Sequence, residues 1–189
     1  MENQQTATTN KNNLVQICKI QNDKKLIEAM DCLNIEKVLL RGLDYTNRDK
    51  KAIFAQNYIS TTKLIRIANR ILTGRFEGTA KPDGSIILFS ENKINGKYVD
   101  ENGLSPTSRF AIYRNGPNMS QRYKVYFDNG VAKAAKKPNG ATFIAKGTYK
   151  STSSVTVFIS EDDMEEFLID ILRTIRRHDI KAKEFNLNP

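Results

Sequence analysis

The sequence predicts an α+β fold: an antiparallel β-meander packed on a C-terminal amphipathic helix and preceded by a mainly helical N-terminal segment. Three observations predict it. Between Leu14 and Gly74 apolar residues recur at helical spacing. After Gly74, Asn-Gly and Asp-Gly dipeptides punctuate β-rich runs. Near the C-terminus a single apolar stripe follows a capping serine.

Residues 1–13 (MENQQTATTNKNN) are rich in Asn, Gln and Thr and nearly free of hydrophobes, so a disordered tail is expected. The helical segment 14–74 begins with Leu26, Ile27, Met30 and Leu33 after Asn22-Asp23, a cap-forming pair. Val38-Leu39-Leu40 suits helix or strand. Ala52, Ile53 and residues 55–59 read as a second helix. Ser60-Thr61-Thr62 caps a third, carrying Leu64, Ile65, Ile67, Ala68, Ile71 and Leu72, with Gly74 closing it.

Beyond it, turns are expected at Asp83-Gly84, Asn95-Gly96, Asn102-Gly103, Asn115-Gly116, Asn129-Gly130 and Asn139-Gly140, because these residues adopt positive φ cheaply. The strands between them are Ser85–Ser90, Arg109–Arg114, Arg122–Phe127, Ala141–Lys150 and Ser154–Ile159. Ser160 then caps a helix with Glu161, Asp162 and Asp163 at its positive end and Arg173, Arg176 and Arg177 at its negative end. Met164, Phe167, Leu168, Ile171, Leu172 and Ile175 form its stripe. The sheet and this helix make one unit over 75–180, and 181–189 reads as a loose tail. No internal repeat stands out.

The chain has 189 residues and a net charge of +9. Nearly all of the excess lies between Arg109 and Lys150, where nine cations face one acid, Asp128. Charge kept for solubility would be spread out, so this concentration points to a polyanionic partner. Alternation along the strands says which cations share a face. Tyr123, Val125 and Phe127 point to the core, which leaves Arg122, Lys124 and Tyr126 outside. Phe110 and Ile112 likewise leave Arg109 and Tyr113 outside. Lys146 and Lys150 share a face of their strand. Lys133, Lys136 and Lys137 lie in Val131–Asn139, which reads as a basic loop able to close over a bound strand.

A sheet face bearing cations and rings suits single strands, whose bases are free to stack while cations follow the phosphates. Duplex DNA offers no free base faces. The expected function is therefore a sequence-tolerant single-stranded nucleic-acid-binding protein, DNA before RNA. Arg109, Arg122, Lys124, Lys146 and Lys150 would neutralise phosphates, Tyr113 and Tyr126 would stack bases, and the loop lysines would clamp.

Four strands followed by one amphipathic helix resemble the unit of the PC4, PUR and Whirly families of single-strand binders. The stretch Val155-Thr-Val-Phe-Ile-Ser-Glu-Asp-Asp-Met-Glu-Glu-Phe-Leu-Ile-Asp-Ile-Leu is similar to their last strand and helix, and the likeness covers residues 75–178. It implies a helix covering one sheet face, a strand bound on the other, and units paired into dimers. The segment 14–74 departs from that unit.

Catalysis is not expected. His178 is the sole histidine and sits at the cationic end of the last helix. Cys18 and Cys32 read as buried reduced thiols and have no zinc-ligand spacing with it. Phosphate-loop, dinucleotide and nucleophile-elbow motifs are missing. Asp100-Glu101 and Glu161-Asp162-Asp163 are better explained by a turn and a helix cap than by Mg²⁺. No cofactor is implied, no run is apolar enough for a membrane span, and no secretory leader is read, so a cytoplasmic protein is expected, and the resemblance implies a homodimer or higher homo-oligomer. The main alternative is a structural or assembly protein, such as a bacteriophage virion component, with its basic face toward nucleic acid or an acidic partner. A second rival is a duplex binder acting through the N-terminal helices, with Arg66 and Arg70 on one helix face.

Overall fold

A computed structural model describes residues 14–22, 24–47, 51–76 and 80–187, with side chains as far as residue 181. The tail expected at 1–13 lies outside these.

The N-terminal segment overturns the helical expectation. It forms four strands, β1 (Gln16–Gln21), β2 (Lys25–Cys32), β3 (Lys37–Asp44) and β4 (Ile53–Ser60), and one helix, α1 (Thr61–Leu72). The strands make one antiparallel sheet in sequence order. Leu26 to Met30 of β2 are all buried, so both faces of that strand are covered. With apolar residues on both faces and Glu28 among them, alternation is lost, and periodicity does not separate such a strand from a helix. Asn22 does not cap a helix; its side-chain oxygen accepts from the Lys25 N–H at 2.8 Å and ties the β1–β2 turn. The next connection is a single 3₁₀ turn ending at Glu36, at φ 54°. In β4 the inward positions are Ala55, Asn57 and Ile59, and the polar member hides the alternation. Only the third expected helix is present: Ser60 caps α1, and Gly74 follows it at φ 65°.

The second half contains β5 (Ile86–Ile94), β6 (Ser105–Arg114), β7 (Tyr123–Ala132), β10 (Lys150–Ile159) and α2 (Glu161–Leu187), with a small hairpin, β8 (Ala134–Lys136) and β9 (Thr142–Ile144), inserted before β10. Its sheet runs β5-β6-β7-β10, again antiparallel. Gly84, Gly103 and Gly140 occupy positive φ as their turns require. Asn129-Gly130 is no turn but lies within β7. There Asn129 exchanges two side-chain hydrogen bonds with the Gln56 backbone, 2.8 and 2.9 Å, joining the two sheets. A Cβ on Gly130 would stand 2.2 Å from the Lys150 carbonyl oxygen. Ala141–Lys150 is not one strand but β9, a turn, and the first residue of β10. α2 also runs on through residues 181–187, where a loose tail was expected.

The molecule is thus a duplicated four-strand-plus-helix unit, a repeat the sequence alone did not suggest. The capping serines Ser60 and Ser160 stand 100 positions apart, and so do the buried pairs Leu64/Met164, Ile67/Phe167, Ala68/Leu168 and Ile71/Ile171. The helices cross over: α2 lies against β1 of the first half and α1 against β5 of the second. One apolar core serves both halves. At its centre a Cβ on Gly42 would meet the Phe127 ring at 2.7 Å. By register these are equivalent positions, so one half supplies a ring and the other the space for it. Gly42→Ala is expected to cost about 1–3 kcal/mol by overpacking. Chemical denaturation would show a lowered midpoint, and an unchanged midpoint would mean that Phe127 moves aside freely.

Candidate nucleic-acid interface

Sheet register fixes which side chains meet on the outer face of the second sheet. One row crosses all four strands: Ile87, Tyr113, Lys124 and Phe158. Ile87 and Phe158 are each 40% exposed, a large apolar outlay for solvent. Two ammonium groups stand near the Tyr113 ring, Lys124 at 4.3 Å and Lys81 at 4.7 Å from its centre. Asp83 lies close to both lysines; bonds from Ser85, then the lysines, hold its carboxyl below the usual range.

The next row carries Ala111, Tyr126 and Thr156, and the one after it Arg109, Asp128 and Ser154. Here the face is closed. Tyr149 folds over it, its ring centre 3.4 Å from the Arg109 guanidinium carbon. Asp128 is buried and accepts from Tyr126 Oη at 2.9 Å and Ser151 Oγ at 2.6 Å. Tyr149 Oη is buried beside the same carboxylate without a well-aligned bond, and Arg109 Nε is buried without a partner. Burial first, then Asp128, pushes the Tyr126 and Tyr149 phenols above their ordinary value. Arg109 is thus enclosed and Tyr126 is tied down, whereas Tyr113 and Lys124 stay on open sheet.

The other sequence candidates divide in two. Arg122 turns to the start of α2, with Glu161 at 3.9 Å and the Gly116 carbonyl at 3.1 Å. Arg114 meets the same Glu161 at 2.9 Å, so both guanidinium groups anchor the helix. Lys133, Lys136, Lys137, Lys146 and Lys150 are all exposed, on the inserted hairpin or at its base. The hairpin does not cover the Tyr113 row. It stands at the far end of β5, where Thr142 packs at Gly96.

Sequence reasoning missed Lys81, Ile87 and Phe158. Phe158 was legible: Val155, Val157 and Ile159 fill the core, so the ring between them must point out. Lys81 reaches Tyr113 from a loop, and no periodicity shows that.

The duplex rival loses its basis, because the described residues of the segment hold one α-helix and Arg70 donates to the Leu88 carbonyl at 3.0 Å. Among the described residues no cluster of three metal-ligating side chains occurs, and no helix is long and apolar enough to cross a membrane. Comparison with protein-family models, curated proteins and solved structures finds no match.

Proposed function

We propose that the protein binds single-stranded nucleic acid without catalysis, on the open end of the second sheet. The observation that carries this reading is the row Ile87–Tyr113–Lys124–Phe158 with Lys81 beside it. It places two aromatic rings and two ammonium groups on one uncovered surface. Phe158 and Tyr113 stack bases, while Lys124 and Lys81 meet the phosphates.

Fluorescence anisotropy across a salt series tests the reading, with a single strand of about 16 bases, its duplex and an RNA equivalent. Affinity for the single strand is expected to exceed that for the duplex and to fall steeply with salt, because each phosphate contact releases counterions. Binding flat in salt, or equal for duplex, would overturn it.

The assembly alternative keeps one specific support. Phe54, Ile53 and Tyr58 of β4 are 54%, 49% and 39% exposed, more apolar surface than an isolated strand edge needs. A discrete high-order assembly that ignores free oligonucleotides would favour it.

A further inference from the structure

A groove of about 910 Å³ runs between β4 of the first half and the far ends of β5 and β6 of the second. It is remote from the Tyr113 row: both faces of β5 reach it, near Asn92 and Lys93 rather than Ile87. Its walls carry amides and hydroxyls, with Tyr58 and three lysines, Lys37, Lys63 and Lys93. Lys63 and Lys93 both hold Glu91, and despite burial they keep its carboxyl below the usual range. Lys37 is exposed.

Asn57 is the informative residue. It is 2% exposed, yet it lines the groove. Lys93 Nζ donates to its Oδ1 at 3.2 Å, which fixes the amide orientation. Its Nδ2 is left buried with no acceptor. Buried amide donors are ordinarily satisfied, so this one has a hydrogen bond to give that no protein acceptor takes up. The basic hairpin stands at the mouth of this groove: Thr142 lines it, and Lys136 pairs directly across from Thr142. Duplication adds a second pointer, since Tyr58 occupies the position that Phe158 holds in the other half.

We infer that this groove is a second contact site for the same single strand, reached along β5 from the first. Tyr58 stacks a base, Asn57 Nδ2 donates to a base carbonyl or phosphate oxygen, and Lys37 and Lys136 neutralise phosphates at the mouth. The inference rests on the single-strand reading and adds the path of the strand.

Anisotropy with single strands of about 4 and about 16 bases separates the two sites, since simple single-strand folds cover that range. Tyr58→Ala combined with Lys37→Gln is expected to weaken the longer strand about tenfold and to leave the shorter one on the Tyr113 row unchanged. Equal affinity for the longer strand in wild type and variant would overturn the groove alone. Loss in this variant with none in Tyr113→Ala would instead overturn the first site. Photo-crosslinking of a halogenated-uracil strand to wild-type protein needs no variant to fold. Adducts within β4 or the 133–148 hairpin are expected, and adducts confined to β6, β7 and β10 would sink the groove. Binding of neither strand overturns both.

Discussion

Asp128→Ala is expected to lower the unfolding free energy by about 2–5 kcal/mol, because two hydroxyls lose their buried acceptor and Arg109 loses the charge opposite it. Tyr126 and Ser151 both donate to this carboxylate, and Arg109 lies directly across the strand pair. The enclosing Tyr149 ring would then stack on a guanidinium with no anion near it. A second readout separates charge from shape. The phenols of Tyr126 and Tyr149 sit above their ordinary value of 10.0, so the folded chain holds them neutral where the unfolded chain ionises. That contribution is complete below pH 10 and is lost as pH rises through the raised values. In Asp128→Ala burial still raises the phenols but the carboxylate no longer does. Ultraviolet titration should therefore show phenolate forming at lower pH than in wild type. Asp128→Asn keeps an acceptor and loses the charge, so it should fall between the two. A midpoint and a phenol titration both unchanged in Asp128→Ala would show that the network holds nothing together.

What the sequence disclosed follows from how each element meets solvent. β6 and β7 each present one dry face, so alternation put Arg109, Tyr113, Lys124 and Tyr126 on the opposite one. β2 fails the same reading because it is covered on both faces, and β4 because Asn57 occupies a core position. Their turns offer no Asx-Gly signal either: one is an Asn-capped turn, another a 3₁₀ turn ending at Glu36. The repeat went unseen for a related reason. It lies in equivalent buried positions such as Ala68 and Leu168, where size differs and only apolarity is shared. In the candidate interface, direction was legible and company was not. Alternation sent Arg109 outward, but nothing local announced that Tyr149, forty residues on, would fold over it. Asn129-Gly130 shows the converse error. Its turn chemistry is real, yet tertiary demand turns the asparagine into a bridge to Gln56 and the glycine into clearance for Lys150.

Phe158→Ala with Tyr113→Ala should then remove most of the single-strand affinity, about 1–3 kcal/mol for each ring that stacks a base. The expectation is specific to these two because the other outer-face phenol is committed elsewhere. Tyr126 donates to Asp128 and shares its row with Ala111 and Thr156, so Tyr126→Phe should leave affinity nearly intact while lowering stability. Neither Phe158 nor Tyr113 is fully buried, so the double variant should fold, as far-ultraviolet circular dichroism would show. Its salt slope carries the mechanism. Rings contribute stacking and lysines contribute counterion release, so losing the rings should lower affinity at every salt concentration and leave the slope unchanged. Lys81→Gln with Lys124→Gln should do the reverse, flattening the slope by about two phosphate contacts. A ring variant that flattens the slope would mean that Tyr113 acts by holding its two lysines in place, and the outer row would then be an electrostatic site rather than a stacking one.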